Sequence, residues 1–297
     1  MGPPAEESSP GADLTWVDVF ATGPMTGNPL AVVWDAEGWD APRMQAVAAE
    51  LGLSETVYAL APESPEADAR LRIFTPSSEL PVAGHPVVGA AWALRRAGRM
   101  GDAGTVETGA GPLSVRASDG GASMDQPEPV GGILVDSAEA AAACGVVVAG
   151  WPPARVWSTG LAQLMLPAAD VAALEGARPD LAAVERLGAR DGWVGVSLYA
   201  LLEARDGRAD VRVRHFAPAL GVPEDPVTGS AAGALGACLA DAGMAAGGAL
   251  ALRVSQGTEM GRAGVVEVTV HAAGGVPRLV EVGGAVVPVI EGWILPG

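Results

Sequence analysis

The stretch "LPVAGHPVVGAAWAL", residues 80–94, is the strongest structural signal in the chain. It contains one of only three histidines among 297 residues, placed between a glycine and a proline, and it continues into an apolar, alanine-rich run. Proline in the first turn, two arginines in the last turn and a following glycine predict a helix over residues 86–98. Because this helix has hardly any polar face, we expect strands to surround it on most sides.

A related stretch, "PEDPVTGSAAGALGACL", occupies residues 223–239. Residues 85–91 align with residues 225–231 at a constant offset of 140 and share four of seven positions. The strand-like "RLRIFTP" at 70–76 likewise parallels "RVRHFAP" at 212–218. A repeat of this length indicates two duplicated domains and not a solenoid.

The repeat predicts an α+β fold of two pseudo-symmetric domains, each a mainly antiparallel β-sheet or barrel wrapped around one central helix. We expect a disordered N-terminal lead-in over residues 1–13, a first half over 14–128 and a second half over 129–297. The last strand of the second half is free to return to the first half.

The chain is strongly acidic, with a formal net charge of −17. A surface of that sign repels phosphate backbones and anionic lipids, so neither nucleic acid nor a membrane is expected as a partner. With only 18 lysines and arginines, an anionic substrate would be held by helix N-termini. No signal-peptide pattern and no apolar run of about 18 residues occurs, so we expect a soluble cytoplasmic protein.

Three side chains are candidates for catalysis: Glu55, His85 and Asp225. His85 and Asp225 occupy matching places before two apolar helices, whose N-termini would converge on a cleft between the halves and suit a carboxylate. Glu55 lies between a helix-ending glycine and an apolar strand, where loss of solvent raises the pKa of a carboxyl and lets it act as base and acid. Each also has an ordinary interpretation: Glu55 as a solvated glutamate at the end of a strand, His85 as a loop histidine and Asp225 as a turn-forming residue.

Familiar cofactor and hydrolase motifs do not occur in the sequence. The absence of GxGxxG after a strand, GxxxxGK[ST], HExxH and GxSxG argues against nucleotide cofactors, zinc hydrolysis and a serine hydrolase. Two distant cysteines, Cys144 and Cys238, and three scattered histidines lack the spacing of a zinc site, so no metal is expected. We interpret both cysteines as buried core residues, His215 as an ordinary strand residue and His271 as a residue of a surface strand or turn.

Five segments together resemble the PhzF-like family of phenazine-biosynthesis isomerases. They are "VDVFATGPMTGNPLAVV" (17–33), "ELGLSETVY" (50–58), "RIFTPSSELPVAGHPVVGAA" (72–91), "HFAPALGVPEDPVTGSAAGAL" (215–235) and "QGTEMGR" (256–262). The resemblance covers the chain from Leu14 to the C-terminus. It implies the two-domain architecture of diaminopimelate epimerase.

The resemblance also implies an activity: a cofactor-independent isomerase that moves a proton, and with it a double bond, in a small cyclic or unsaturated carboxylate. By this likeness, Glu55 of the Ser-Glu-Thr motif carries the proton as general base and then general acid. His85 of the Gly-His-Pro motif and Asp225 of the Asp-Pro-x-Thr-Gly-Ser motif would hydrogen-bond the polar groups of the substrate.

The same motifs imply a substrate-binding set of Ser54, Gly84, Gly229 and Ser230. The amides around Gly229 and Ser230, with the Ser230 hydroxyl, would hold the carboxylate of the substrate. Homodimers are usual in the family, so we expect a homodimer.

Two other functions remain open. The first is an amino-acid epimerase or racemase, although epimerases of this fold place a cysteine at each helix entrance, and neither Cys144 nor Cys238 lies there. The second is a non-catalytic descendant that binds a small anion. The sequence does not name the substrate.

Overall fold

The computed structural model describes residues 11–295. The first strand begins at Ala12, so the last two residues of the predicted lead-in belong to the sheet. Residues 1–10 of that lead-in lie outside the described residues.

The described chain up to Asp125 forms eight strands and two α-helices. The strands are β1 (Ala12–Val19), β2 (Asn28–Trp34), β3 (Thr56–Leu60), β4 (Ala69–Phe74), β5 (Glu79–Leu80), β6 (Ala103–Thr108), β7 (Gly111–Ser118) and β8 (Gly121–Asp125). The helices are α1 (Ala41–Leu51) and α2 (Gly84–Arg96).

The chain from Val130 to Ile294 repeats this order with additional helices. Its strands are β9 (Val130–Leu134), β10 (Arg155–Ser158), β11 (Ala162–Pro167), β12 (Gly195–Arg205), β13 (Arg208–Ala217), β14 (Val222–Asp225), β15 (Ala249–Gln256), β16 (Gly264–Ala273) and β17 (Val276–Ile294). Its α-helices are α3 (Ser137–Cys144), α4 (Val171–Gly176), α5 (Leu181–Asp191) and α6 (Gly229–Leu239).

The strands of the two halves pair in the same way. The pairs β2–β3 and β4–β6 are parallel in the first half, and the pairs β11–β12 and β13–β15 are parallel in the second. The other pairs of these strands are antiparallel, among them β3–β4 and its counterpart β12–β13. The predicted α+β fold of two similar, mainly antiparallel halves is confirmed.

The long strand β17 joins the halves. Its first part pairs with β16 and β8, and residues 286–294 pair with β1 of the first half. The first strand of the second half, β9, follows β8 after a short connection and pairs with β10. The strands β1–β2–β3–β4–β6–β7–β8–β17 therefore close on themselves as a barrel around α2.

The helices α2 and α6 lie inside the strands, as their apolar sequences predict. Residues 84–94 of α2 are all buried, and Ser230 is the one residue of α6 that is not. Small residues allow the strands to come close: a Cβ on Gly89 would stand 2.5 Å from Leu30 Cδ2. No helix within residues 11–295 combines the length and apolarity needed to cross a membrane.

The alignment at an offset of 140 is wrong at the start of the second helix. α2 begins at Gly84 and α6 at Gly229, so the residue that matches His85 is Ser230. Asp225 instead ends β14, before the turn that leads into α6. The alignment slips because the connection that contains the four-residue β14 is longer than the connection that contains the two-residue β5.

Candidate active site

Glu55 lies at the entrance to β3. Asp40 caps α1, and Gly52 ends it in the left-handed region at φ 64°, so the chain turns directly into the strand. Only 17% of the Glu55 side chain is exposed. Burial and, to a smaller degree, the charge of Asp225 raise the pKa of Glu55 to about 8, although a hydrogen bond from Ser54 opposes the rise. The carboxyl is therefore mostly protonated at neutral pH.

His85 is the second residue of α2, and its Nε2 lies 3.6 Å from Oε2 of Glu55. Both atoms are buried, and neither has a hydrogen-bond partner within the part of the chain that the structure describes. Burial lowers the pKa of His85 to about 3, so the imidazole is neutral near pH 7. A carboxyl and a neutral imidazole thus stand side by side with bonding capacity left for a ligand.

The N-termini of α2 and α6 meet beside this pair. A Cβ on Gly84 would stand 3.1 Å from the backbone N of Ser230. Aspartate side chains cap α1, α3, α4 and α5, whereas neither Ala83 nor Thr228 provides a side-chain cap for α2 or α6 in the described chain. The first N–H groups of α2 and α6 are left for other acceptors, and the dipoles of both helices favour an anion there.

Asp225 is held in place by both halves of the molecule. Thr228 Oγ1 donates to its Oδ2 at 2.5 Å, and Asn28 Nδ2 donates to its Oδ1 at 3.0 Å. Gln256 Nε2 donates to the backbone O of Asp225 at 2.8 Å. Burial raises the pKa of Asp225 to about 6, and the bonds from Thr228 and Asn28 oppose the rise. Because both of its carboxylate oxygens accept hydrogen bonds, Asp225 is a fixed wall of the site.

A cavity of about 70 Å³ between the halves brings the predicted residues together. All seven line it: Ser54, Glu55, Gly84, His85, Asp225, Gly229 and Ser230. The first four come from the first half and the last three from the second. Their roles in binding and catalysis stay predictions.

The sequence analysis missed two polar residues that line this cavity and a third that contacts one of them. Gln163 of β11 and His215 of β13 line it, and Ser197 Oγ lies 2.9 Å from Nδ1 of His215. The interpretation of His215 as an ordinary strand residue is therefore incomplete. Strand alternation could have shown it, because His215 shares a face with Val211 and Val213, which are buried.

Asn28 was also missed, although it stands in the quoted turn "GPMTGNP". It is fully buried and links the halves by donating to Asp225 and, at 2.9 Å, to the backbone O of Val227.

The remaining predictions for histidine and cysteine are confirmed: His271 is exposed on β16, and Cys144 and Cys238 are buried free thiols. Among residues 11–295, no three His, Cys, Asp or Glu side chains are grouped so that they could hold a metal ion.

The fold and the cavity define a class of protein: an α+β protein of two similar halves with a buried carboxyl in the cavity between them. The sequence profile of the family described as phenazine biosynthesis-like protein matches residues 17–292. The chain belongs to this PhzF family.

Relatives over nearly the full length are isomerases by name. An uncharacterised isomerase from Mesorhizobium japonicum is 36% identical over 290 residues, 93% of this chain and 96% of that one. The trans-2,3-dihydro-3-hydroxyanthranilate isomerase of Pseudomonas aeruginosa is 37% identical over 273 residues, 90% of this chain and 94% of that one. The crystal structure of a PhzF-family phenazine biosynthesis protein from Bacillus anthracis superposes with a TM-score of 0.86 at 28% identity and covers 97% of this chain and 100% of that one. The chain is thus an isomerase of this family.

Proposed function

We propose that the chain moves one proton between two carbon atoms of a small cyclic or unsaturated carboxylate, without a cofactor. Glu55 is the single group that removes the proton and returns it. The first substrate to test is trans-2,3-dihydro-3-hydroxyanthranilate, because a relative that is 37% identical is named as its isomerase.

The state of Glu55 is the observation that carries this proposal. Its pKa of about 8 lies close to neutral pH, and a carboxyl in that range both accepts and donates protons at little cost. Its Oε2 is buried and has no hydrogen-bond partner among the described residues, so it is available to a C–H bond of a substrate. A structural glutamate would instead accept hydrogen bonds with both oxygens.

The proposed reaction conserves all atoms. Ionised Glu55 takes a proton from one carbon, and the electron pair of that C–H bond becomes a new double bond. The electron pair of the old double bond then takes the proton from Glu55 at the far carbon. His85 stays neutral throughout and offers a hydrogen bond beside Glu55.

The uncapped N-terminus of α6 supplies the site for the carboxylate of the substrate. Gly229 and Ser230 are its first two residues, and both line the cavity. Backbone N–H groups and the helix dipole bind an anion here without a lysine or arginine. This fits a chain with a net charge of −17, because the binding charge is local.

The residues at the helix entrances favour a proton shift over an epimerase with two thiols. The matched second positions of α2 and α6 hold His85 and Ser230. Cys238 lies near the end of α6 and Cys144 at the end of α3, both buried. An epimerase with Glu55 and a second base is the remaining rival, and inversion at the Cα of an amino-acid substrate would reveal it. The homodimer stays a prediction.

Replacing Glu55 tests the proposal directly. We expect Glu55→Gln to lower kcat on trans-2,3-dihydro-3-hydroxyanthranilate by at least about 1,000-fold, since an amide cannot carry the proton. The measurement is product formation by NMR, with thermal unfolding as a check that the variant is folded.

Glu50→Gln is the matched control, because Glu50 is exposed on α1, five residues before Glu55. It should keep the activity of the wild type. Turnover by Glu55→Gln close to that of the wild type would show that another group carries the proton.

A further inference from the structure

Part of the cavity wall has no role in the proton shift described above. Three polar residues on neighbouring strands are each at most 2% exposed: Gln163, Ser197 and His215. Ser197 and His215 are direct partners across β12 and β13. Gln163 is the partner of Gly195 across β11 and β12, two residues before Ser197. The three side chains therefore form one polar patch, which we call the β11–β13 patch.

Gln163 and His215 approach the same point. A Cβ on Gly195 would stand 2.6 Å from Oε1 of Gln163 and 2.9 Å from Nε2 of His215. Because glycine has no side chain at this position, both polar groups can pack against its backbone.

Gly195 is also the counterpart of Glu55. Thr56 pairs with Phe74 in the first half, and Val196 pairs with Phe216 in the same way in the second half. The residue before Thr56 is Glu55, and the residue before Val196 is Gly195. In the second half, the amide of Gln163 and the imidazole of His215 occupy the place that an acidic side chain takes in the first half.

The amide of Gln163 has an unused acceptor. Its Oε1 is buried and has no hydrogen-bond partner in the described part of the chain, which is costly unless a ligand supplies one. His215 is neutral, because burial lowers its pKa to about 4. When Ser197 donates to Nδ1, Nε2 carries the ring proton and becomes a donor. An acceptor and a donor then lie next to each other, and a hydroxyl satisfies both.

We propose that the β11–β13 patch is a specificity-determining subsite that binds a hydroxyl group on the ring of the substrate. The O–H donates to Oε1 of Gln163 and the oxygen accepts from Nε2 of His215, while Ser197 orients the imidazole. This inference rests on the proposed function, because it places a ring carboxylate in the cavity. Charged groups are excluded there, since neither a neutral amide nor a neutral imidazole compensates a buried charge.

Binding of two ring carboxylates that differ by one hydroxyl tests the subsite. The ligands are 3-hydroxyanthranilate and anthranilate, and calorimetry gives their dissociation constants. We expect the wild type to bind 3-hydroxyanthranilate at least about tenfold more tightly. Equal affinity for the two ligands, or no binding of either at millimolar concentration, would overturn the proposal.

Two variants locate the preference. Gln163→Met keeps the length of the side chain without its amide, and His215→Phe keeps a ring without its nitrogens. Each should remove most of the preference while anthranilate binds as it does to the wild type. His215→Gln should restore part of it, because its amide again offers hydrogen bonds near the place of Nε2, which a purely structural role of His215 would not produce.

His271→Phe is the matched control, since His271 is exposed on β16. If His215→Phe does not fold, Gln163→Met decides the question alone, and an unchanged preference in it contradicts the subsite. Glu55→Gln separates this inference from the proposed function: it should lose turnover and keep the hydroxyl preference. Loss of the preference in Glu55→Gln, with the fold intact, would show that Glu55 and not the patch recognises the hydroxyl.

Discussion

Glu55 holds a proton near neutral pH because the fold keeps water away from its carboxyl. The effect depends on position and not on residue type, since Glu79 pairs with Arg72 near the surface and its pKa is lowered. The charge of Asp225 raises the pKa of Glu55 further. The two carboxylate oxygens of Asp225 accept hydrogen bonds from Thr228 and Asn28. The two carboxyl groups of the cavity therefore differ in their surroundings: Oε2 of Glu55 has no partner in the described chain, whereas both oxygens of Asp225 accept hydrogen bonds.

The pH dependence of the reaction follows from the pKa of Glu55. Removal of a proton from carbon needs the ionised form, whose fraction grows about tenfold per pH unit below a pKa of about 8. We expect kcat/KM to rise from pH 6 to pH 8 and to level off above that, with no fall caused by His85, whose pKa is about 3. Steady-state assays across this range measure it. A flat profile from pH 6 to pH 9 would contradict a catalytic base with a pKa of about 8.

Helices α2 and α6 place the site, and their starting points set its dimensions. Within residues 11–295, the two helices begin without side-chain caps, pack N-terminus against N-terminus, and are buried along most of their length. Their burial could be predicted from the sequence because small and apolar residues go all the way round each helix. The residue at which α6 starts could not be predicted from the sequence, because it depends on how β14 pairs with β13 before the turn into the helix.

A methyl group at Gly84 should disturb this geometry. In Gly84→Ala the new Cβ would stand 3.1 Å from the backbone N of Ser230, so the helix starts must separate by a few tenths of an ångström. We expect kcat/KM to fall by about 10- to 100-fold, because catalysis depends on positions at that scale, with a small change in Tm.

The matched control is Gly176→Ala at the end of α4, where a Cβ would meet no atom within 4 Å in the described structure. Steady-state kinetics and thermal unfolding of both variants make the comparison. Equal activity of the two would show that the spacing of the helix starts does not matter.

At the scale of the whole molecule, two similar halves face each other and differ at matched positions beside the cavity. Glu55 has Gly195 as its counterpart, and His85 has Ser230. Strand β17 of the second half fixes the relative position of the halves, because it completes the barrel of the first half by pairing with β8 and β1. A cavity between two such halves that holds one carboxyl with a pKa near neutral pH suits proton transfer on one face of a bound substrate.

The sequence predicted the halves, the central helices and the seven motif residues of the cavity. It did so because repeated apolar patterns and rare polar residues at turns are local signals. It did not predict Gln163, Ser197 and His215, since their meeting depends on the register of β12 with β13 and of β12 with β11, which lies before two helices in the chain. The role of Asn28 was hidden for the same reason, because its partner Asp225 belongs to the other half.

The face on which the proton leaves and returns tests the claim that a single carboxyl carries it. The reaction of trans-2,3-dihydro-3-hydroxyanthranilate is run in deuterium oxide, and NMR of the product determines from which face the new hydrogen was delivered. We predict delivery to the same face from which the first proton was removed, because Glu55 contacts only one side of the ring. Delivery to the opposite face would require a second proton carrier and would contradict the one-base mechanism.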